Sequence, residues 1–361
     1  MRITFVVARA DLSGGCKVIA IYAKKLAERG HEVNVVAPSP RPRWRDIAKN
    51  LIRGRSVNGM ITPHHLQLVG APYTLLEGQN KVTAKDVPDG DVVIATWWRT
   101  AEWIRDFPDR KGAKVYFLQH HETNMQGQPH DRVNATWRFP YHKITISQWL
   151  IELAREFGDD DVTLVLNSVN TEQFHAPERE KATIPTVGFM YSTAHYKGCD
   201  VSLAALELVV QQLPGLRVIA FGVEEPSDQL PLPDFVEYNR LPDQNMIREL
   251  YAVCDVWLCG SRAEGFHLPP LEAMACRCPV VSTRVGGPID IIDSGVNGYL
   301  TDAEDSKALA DNLLKILKGS PDEWKKLSNA AVKTAFEYSW DDATKLFIAG
   351  LDRALEKSRV D

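Results

Sequence analysis

Two glutamates with a defined spacing are the first candidates for chemistry in this sequence. Glu264 and Glu272 have seven residues between them in the stretch GSRAEGFHLPPLE, residues 260–272. A carboxylate in a cleft is costly unless something binds it, and a pair of carboxylates can accept hydrogen bonds from the neighbouring hydroxyls of a sugar. The alternative is that Glu272 is a helix-start charge that complements the dipole and that Glu264 is a solvated loop residue. The spacing alone leaves both interpretations open.

The residues around this pair predict a strand, a loop and a helix. An apolar run of strand length, 254–259, precedes the loop, and a helix-forming segment that begins with the prolines at 269–270 follows it. Free N–H groups at such a helix start favour an anion, and Gly265 lets the backbone approach a ligand closely. We expect Glu272 in the first turn of the helix and Glu264 at the strand end. Both would then face one crevice at the carboxyl edge of a parallel sheet.

The composition is that of an ordinary soluble globular protein with two domains. Of the 361 residues, 44% are hydrophobic and 25% are charged, and the length exceeds the size at which one core keeps growing. The net charge of −5 argues against nucleic acid as a partner, and the ten histidines lack metal-ligand spacing. No C-x-x-C pair occurs among the six cysteines, which favours a reducing compartment. The apolar stretch at the start is too short for a signal or a membrane span, so a cytoplasmic protein is expected.

Each half of the chain predicts an α/β domain. The first half opens with a strand, a Gly-containing loop, a helix that ends at Gly30 and a second strand, which together are a βαβ unit. A polar, Pro-containing linker at 167–180 follows, and the pattern then restarts with the same class. Two doubly wound, Rossmann-like domains with a cleft between them are the fold that this order favours. Further strand-like runs lie at 91–96, 114–119, 143–147, 162–167 and 279–284.

Four motifs occur in a specific order along the chain. They are DLSGGCKVIA near the start, YKGCD at 196–200, the stretch 260–300 and YSWDDATKLF near the end. In this order they resemble the retaining GT-B glycosyltransferases of family 4, and the similarity covers nearly the whole chain. The resemblance implies an N-terminal acceptor-binding domain, a C-terminal nucleotide-sugar-binding domain and a C-terminal helix that returns to the first domain. The corresponding boundaries are 1–169, 170–339 and 340–361.

The resemblance implies a role for each residue of the donor site. In the family, the first glutamate of an E-x7-E motif contacts the hydroxyls of the donor sugar and the second contacts the ribose, which assigns Glu264 and Glu272. Lys197 matches the lysine that supports the diphosphate as it leaves, although a loop lysine is ordinarily solvated. The amides that would meet the sugar and the phosphates belong to Gly265, Phe266, His267 and Leu268.

A glycine pair near the start completes the implied phosphate site. Gly14 and Gly15 resemble the N-terminal glycine loop of the family, where absent side chains let backbone N–H groups reach the diphosphate from the opposite domain. The alternative is an ordinary turn between a strand and a helix.

The sequence departs from the family pattern at two positions. The family usually has an arginine where Ser192 stands, so that His195, Arg262 or Arg284 would have to replace it, or the leaving group would be less strongly stabilised. The replacement resembles the rhamnosyltransferase-like branch and favours a deoxythymidine-diphosphate sugar. Arg277 stands where glycine is common.

Acceptor chemistry is expected from the first half. His120 and His121 follow a predicted strand, where the family tends to have a histidine that faces the reaction centre. Successive residues diverge at a strand end, so which of the two faces inward stays open. Trp97 or Trp98 would stack on an acceptor sugar, although packing explains at least one of them better.

The implied reaction moves a sugar from a nucleotide-diphosphate sugar to an acceptor hydroxyl, with retention of anomeric configuration, in the synthesis of cell-surface polysaccharide or glycoconjugate. No metal and no cofactor is expected, because protein donors take the place of a cation at the phosphates. The donor would be linked to dTDP, UDP or GDP. The competing hypotheses are a nucleotide-sugar epimerase or phosphorylase on the same fold, and a catalytically weakened sugar-nucleotide-binding subunit.

A basic segment predicts contact with a membrane surface. Residues 41–55 contain six arginines and lysines against one acidic residue, with an apolar stripe at helical spacing. Such a helix lies in the interface of an anionic membrane, which would place the enzyme on the inner face of the plasma membrane beside a lipid-linked saccharide acceptor. The alternatives are a solvated helix packed on the first domain and a flexible loop that shapes the site of a soluble saccharide.

Overall fold

The computed structural model of the chain describes residues 1–39 and 64–359, which contain two parallel sheets. The predicted membrane-docking segment, 41–55, lies outside the described residues. Within the described ranges, no helix has both the length and the apolar character that a membrane crossing requires.

Seven parallel strands form the sheet of the first domain. Because most of them are buried on both faces, their sequences are near-continuous apolar runs rather than alternating patterns. They are β1 (Arg2–Val6), β2 (Glu32–Ser39), β3 (Tyr73–Glu77), β4 (Val92–Ala95), β5 (Ala113–Leu118), β6 (His142–Thr145) and β7 (Val162–Leu164). Their spatial order is β3-β2-β1-β4-β5-β6-β7, so the winding reverses between β1 and β4 and a crevice opens at their carboxyl ends.

The second domain repeats this plan with six parallel strands. They are β8 (Thr186–Met190), β9 (Arg217–Gly222), β10 (Val236–Arg240), β11 (Val256–Cys259), β12 (Val280–Thr283) and β13 (Gly298–Thr301). The order β10-β9-β8-β11-β12-β13 reverses between β8 and β11. Two Rossmann-like domains were predicted, and this architecture confirms them. Strand β3 and a helix at His130–Trp137 were not predicted, because β3 is short and largely exposed and the helix has few apolar residues.

Helices cover both sheets, and several begin at residues that satisfy the first free N–H groups. Ser13 Oγ accepts a hydrogen bond from the Cys16 amide at the start of the first helix, and Ser320 and Ser339 form capping boxes with residues three positions later. The helices are α1 (Gly14–Glu28), α2 (His65–Val69), α3 (Trp98–Ile104), α4 (His130–Trp137), α5 (Gln148–Glu156), α6 (Cys199–Gln212), α7 (Gln244–Val253), α8 (Leu268–Ala275), α9 (Pro288–Ile291), α10 (Ser306–Lys318), α11 (Pro321–Phe336) and α12 (Trp340–Lys357).

The last helix, α12, packs on the sheet of the first domain. The ring centroid of Phe347 lies 4.4 Å from that of Tyr22 and 5.2 Å from that of Phe117, and all three side chains are fully buried. At the start of the helix, Asp341 accepts hydrogen bonds from Lys25 and Arg29 of the first domain. These contacts join the end of the chain to its beginning.

The structure explains the role of the arginine at position 277. It follows α8 with a left-handed φ of 64°, a conformation that explains why glycine is common there. Its guanidinium donates to Asn329 Oδ1 at 2.8 Å and to the Ala176 carbonyl at 3.2 Å, while its own carbonyl accepts from Ser328 Oγ. The arginine therefore ties the end of α8 to α11 and to the linker between the domains.

Candidate active site

The loop between β11 and α8, residues 260–267, contributes a buried carboxylate to an ion pair and is called the glutamate loop below. Lys197 Nζ lies 2.8 Å and 3.0 Å from the two carboxylate oxygens of Glu264, and Ser261 Oγ donates to Oε1 at 2.8 Å. Only 5% of the surface of Glu264 is exposed. The predicted contact with sugar hydroxyls stays a prediction, but the solvated-loop interpretation of Glu264 is wrong, because the carboxylate is buried and paired.

Lys197 and Glu264 each stabilise the charged form of the other. Burial by itself would raise the pKa of the Glu264 carboxyl, but His267, Lys197 and Ser261 hold it well below its usual range. Burial would likewise lower the pKa of the Lys197 ammonium, and Glu264 raises it above the ordinary value. Both groups are therefore ionised at neutral pH, and a fixed ammonium faces the predicted diphosphate site.

His267 adds an imidazole to this cluster. Its backbone is left-handed, with φ of 73°, where it precedes α8, and its Nε2 lies 3.6 Å from Glu264 Oε1. Burial lowers the pKa of His267 to about 4, so the ring is neutral at neutral pH. Its buried Nδ1 has no hydrogen-bond partner within the described ranges.

Glu272 is also held by specific partners, one of them from the opposite domain. Its Oε1 accepts from Lys17 Nζ of α1 at 2.9 Å, and its Oε2 accepts from the Tyr251 hydroxyl at 3.2 Å. The expectation that Glu272 lies in the first turn is wrong, because α8 begins at Leu268 and Glu272 is its fifth residue. It is therefore not a helix-start charge, which removes the alternative based on the dipole.

The glutamate loop is fastened to the first domain through Gly265. The Gly265 carbonyl accepts from Ser147 Oγ at 3.0 Å and from Trp149 Nε1 at 2.9 Å. A Cβ at this glycine would lie 1.8 Å from the Gln119 carbonyl oxygen. A close approach therefore exists at Gly265, but the approaching group is the backbone of the first domain, and the predicted approach of a ligand stays a prediction.

The start of α8 exposes few amides of its own. Pro269 and Pro270 follow Leu268 at the helix start and have no N–H groups. The Phe266 side chain is buried and its carbonyl accepts from the Gly287 amide, so Phe266 supports the loop. The described residues offer no acceptor to the amides of 265–268, which leaves these N–H groups for the predicted contact with phosphate or sugar.

The glycine pair of the first domain lies at the first two positions of α1. A Cβ on Gly14 would meet nothing within 4 Å, and one on Gly15 would approach only the Gln119 side chain, at 3.6 Å. Neither backbone is left-handed. Local conformation therefore does not require glycine at either position, which favours the predicted approach of a ligand over an ordinary turn.

The structure separates the two histidines. His120 lies between Trp149 and Tyr196, with ring centroids at 6.4 Å and 5.9 Å, so it reaches the second domain beside Lys197. Burial lowers its pKa, and its buried Nε2 has no partner among the described atoms. His121 points away: its Nε2 lies 2.9 Å from Asn134 Oδ1 and its ring packs on Trp137. The structure thus brings only His120 to the Lys197 cluster.

Two of the proposed substitutes for the missing arginine, Arg262 and Arg284, lie near carboxylates in the structure. Arg262 forms a two-point ion pair with Asp200, at 2.7 Å and 2.6 Å, and a second ion pair with Glu304. These pairs and the His195 carbonyl engage the guanidinium of Arg262, so its binding to the phosphates stays a prediction that would require these contacts to open. Arg284 lies 3.8 Å from Asp302 and is half exposed.

Of Trp97 and Trp98, the two candidates for stacking on an acceptor sugar, only Trp97 has a partly exposed side chain. Trp98 is 1% exposed and its Nε1 donates to Gln128, so it packs inside the domain. Trp97 is half-buried, and the Arg99 guanidinium lies 5.2 Å from its ring centroid. The six cysteines are all buried and free, and no group of metal-ligating side chains is found in the described part of the chain.

Sequence reasoning missed the partners of Glu272 and of the glutamate loop. Lys17 and Tyr251 donate to Glu272, Ser147 and Trp149 donate to the Gly265 carbonyl, and the Gln119 carbonyl approaches Gly265 closely. The one available signal was the position of Lys17, three residues after Gly14 and thus on the same face of α1. The other contacts join residues far apart in the chain and leave no local pattern.

Part of this chain is similar in sequence to known proteins. Residues 170–337 match the family described as glycosyl transferases group 1. The D-inositol 3-phosphate glycosyltransferase of Mycolicibacterium smegmatis is 30% identical over 187 residues, which are 48% of this chain and 41% of that protein. The N-acetyl-alpha-D-glucosaminyl L-malate synthase of Bacillus anthracis is 26% identical over 202 residues, 55% of this chain and 47% of that protein. The chain thus spans about half the length of the curated relatives it matches.

Solved structures resemble the whole chain. A sucrose-phosphate synthase of Thermosynechococcus elongatus superimposes with a TM-score of 0.76 at 17% identity and covers 99% of this chain and 100% of its own. Anabaena HepE in complex with UDP and glucose gives a TM-score of 0.73 at 17% identity, with 98% and 100% covered. These likenesses establish the fold of the chain, and the family match covers its second domain. The chain therefore has the two-domain GT-B fold, and its residues 170–337 match the glycosyl transferases group 1 family, which bears out the resemblance that its motifs predicted.

Proposed function

We propose that the protein transfers a glycosyl group from a nucleotide-diphosphate sugar to an acceptor hydroxyl with retention of anomeric configuration. The observation that carries the proposal is the buried pair Lys197–Glu264, set in a loop that also contacts the first domain. A fixed ammonium beside a fixed carboxylate suits a ligand that has a phosphate next to a sugar. The match of residues 170–337 to the glycosyl transferases group 1 family supports the same reaction.

Each charge has a distinct part in this proposal. Glu264 accepts hydrogen bonds from hydroxyls of the donor sugar, and Glu272 accepts them from the ribose. Lys197 uses two of its three donors on Glu264 and keeps the third for the departing diphosphate, on which negative charge accumulates in the transition state. Since Glu264 holds the ammonium in position before the donor arrives, no reorganisation is needed when the charge develops.

The first domain supplies the acceptor side of the proposed reaction. His120 lies at the carboxyl end of β5, with Nε2 available, next to the cluster that would hold the donor sugar. A neutral imidazole can accept a hydrogen bond from an acceptor hydroxyl and position it. Trp97, at the end of β4, provides an apolar surface on which a sugar ring can stack.

The nucleotide of the donor and the acceptor are proposed only by their chemical class. The solved complexes of HepE with UDP and with UDP-glucose support a nucleotide-sugar donor, linked here to UDP, dTDP or GDP. The acceptor is a saccharide, free or lipid-linked, of cell-surface polysaccharide or glycoconjugate synthesis. Protein donors at the phosphates replace a metal ion in this proposal, so that added chelator should leave the turnover unchanged.

A sugar-nucleotide-binding subunit without turnover is the second candidate, and Ser192 favours it. The position lacks the cation that the family uses, and the guanidinium of Arg262 is paired with Asp200. Incubation with a panel of UDP-, dTDP- and GDP-sugars separates the two candidates. Release of nucleoside diphosphate, with or without a saccharide acceptor, supports the enzyme, whereas binding without release supports the subunit. No binding of any nucleotide sugar contradicts both.

Membrane docking is tested separately, because the segment 41–55 is known only from its sequence. Binding to vesicles that contain anionic lipid, which falls with salt and is lost when Arg41, Arg43 and Arg45 are replaced by glutamate, supports a peripheral enzyme. No sedimentation with such vesicles at low salt contradicts it.

A further inference from the structure

Lys17 reaches from the first domain into the nucleotide side of the cleft. Its Nζ lies 2.9 Å from Glu272 Oε1 and 5.2 Å from the ring centroid of Phe174, and its side chain is 18% exposed. The Phe174 ring also packs against Tyr251, whose hydroxyl donates to the other oxygen of Glu272. The ammonium is therefore fixed at the carboxylate that the proposed function assigns to the ribose.

The position of Lys17 on α1 places it beside the predicted phosphate site. It is the fourth residue of the helix, and its amide donates to the carbonyl of the cap residue Ser13. Gly14 and Gly15, the residues expected to face the diphosphate, are the first two positions of the same turn. A lysine side chain that starts there can reach both the ribose carboxylate and the phosphates, because the two groups are adjacent in a nucleotide.

The charges of the cleft leave room for a second cation. A diphosphate carries more negative charge than one ammonium balances, and Lys197 already shares its charge with Glu264. Ser192 provides no charge, and the guanidinium of Arg262 is committed to Asp200 and Glu304. Lys17 forms one hydrogen bond within the described ranges, so two of its three donors are not used by those residues.

We propose that Lys17 is a catalytic residue that contacts the diphosphate and supplies the positive charge that position 192 lacks. The inference rests on the proposed function. When the donor binds, the ribose hydroxyls replace the ammonium as hydrogen-bond donors to Glu272, and the ammonium turns to the phosphates. The first domain thereby delivers its charge only when the cleft holds a nucleotide, and no covalent step is involved.

Calorimetry with matched ligands tests this assignment. The probes are a nucleoside and its diphosphate, uridine with UDP, thymidine with dTDP and guanosine with GDP, and the pair that the wild-type protein binds most tightly is used. Lys17→Met should weaken the diphosphate by about 10- to 150-fold, the ratio that corresponds to the loss of a hydrogen bond to a charged group. The nucleoside should bind as before or more tightly, because Glu272 loses a competitor. Lys24→Met, an exposed change on the same helix, is the matched control and should alter neither affinity.

A second background separates contact with phosphate from an indirect effect through Glu272. In Glu272→Gln the ion pair is absent, so a lysine that only positions Glu272 has nothing left to position. If Lys17→Met still weakens the diphosphate selectively in this background, the direct contact is supported. If the loss disappears there, or if Lys17→Met weakens nucleoside and diphosphate equally, the inference is overturned.

Nucleotide binding by the wild type and by Lys17→Met distinguishes a wrong role for Lys17 from a wrong function. A wild-type protein that binds a nucleoside diphosphate, with Lys17→Met binding it equally well, overturns the role of Lys17 and leaves the proposed function intact. A wild-type protein that binds none of the three diphosphates overturns both. Lys17→Arg keeps the charge and should recover most of the diphosphate affinity, and failure of this rescue with a folded protein also counts against the contact.

Discussion

Two strand-loop-helix units meet at the cleft and use glycine in different ways. In the first domain, β1 leads to α1, where a Cβ on Gly14 would meet nothing within 4 Å. In the second domain, β11 leads through the glutamate loop to α8, where a Cβ on Gly265 would lie 1.8 Å from the Gln119 carbonyl oxygen. The first helix start is open, and the second is closed by the opposite domain. The same local fold therefore offers free backbone on one side and a rigid, domain-linked loop on the other.

The two units also differ in how many partners hold their charged side chains. The glutamate loop and α8 carry Glu264 and Glu272, each with at least two hydrogen-bond partners. The first unit contributes Lys17, whose one described partner is in the other domain. The comparison suggests that the second unit fixes the donor in place, while the first unit responds to it.

The largest effect is expected from Lys197→Ala, which removes the preorganised cation of the second unit. Turnover should fall by about 2 to 4 kcal/mol of transition-state stabilisation, the range for the loss of one such donor. Steady-state kinetics measures this, with Lys307→Ala, an exposed lysine on α10, as the control. A variant that keeps more than about one third of the wild-type kcat would contradict the role of Lys197, since that loss is far below the expected range.

Gly265→Ala tests whether the closed unit needs its contact with the first domain. The added methyl group meets backbone rather than a flexible side chain, so the domains must shift. We expect a decrease in kcat/KM that corresponds to a loss of about 1 to 3 kcal/mol in transition-state stabilisation, the range for overpacking. Small-angle scattering with donor should show a larger radius of gyration than for the wild type. Unchanged kinetics together with an unchanged radius would show that the contact with Gln119 is not part of the active form.

The two glutamates are expected to separate by ligand. Glu272→Gln should weaken nucleoside diphosphate by about 1 to 3 kcal/mol, because a hydrogen bond to a charged group is lost at the ribose. Glu264→Gln should spare the nucleoside diphosphate and weaken only the sugar nucleotide. Calorimetry with both ligands reports the pattern, and the reverse result would exchange the two roles.

The fold was largely predictable because buried parallel strands leave long apolar runs in the sequence. The runs that predicted β4, β5 and β11 lie within two residues of the observed strands. Strand β3 escaped because its Tyr73–Glu77 segment is only five residues long, lies at the sheet edge and is largely exposed, so it lacks the long apolar run of a buried strand.

The site was predictable only where a motif is local. Glu264 and Glu272 share one loop-helix segment, and their spacing is visible in the sequence. The partner of Glu272 is 255 positions away, at Lys17, and no local pattern encodes that contact. The ion pairs of Arg262 escaped prediction for a related reason, because the carboxylates that it contacts, Asp200 and Glu304, lie in other elements.

The stability of the glutamate loop should depend on pH through His267. The folded-state pKa of His267 is lowered to about 4, below its unfolded value, so its contribution to the free energy of unfolding is complete above about pH 6.5 and is lost as the pH falls toward 4. Glu264, whose pKa is lowered to about 2, contributes fully only above its unfolded pKa of about 4.5, so it begins to lose its contribution at the acid end of that window. Denaturant unfolding should therefore show a decline of about 1 to 3 kcal/mol between pH 6.5 and 4.

His267→Asn identifies the source of that decline. Asparagine tolerates the left-handed backbone at this position, and it does not titrate. The slope between pH 6.5 and 4 should become smaller without vanishing, because the buried His142, with a pKa lowered to about 4, adds to it. An unchanged slope would show that His267 is as easily protonated in the folded protein as in the unfolded chain.

The smallest effect is expected at the open unit, from Gly14→Ala, and its two parts have opposite signs. The added methyl group has space and the backbone is not left-handed, so the substitution should stabilise the protein by about 0.4 to 1 kcal/mol through the unfolded chain. The same methyl group projects where the diphosphate is proposed to approach the α1 amides, so the affinity for nucleoside diphosphate should fall by a similar amount. Thermal unfolding without ligand and calorimetry with ligand measure the two parts on one sample. Higher stability with unchanged affinity would mean that the ligand does not approach Gly14 closely, and the open helix start would then be an ordinary turn.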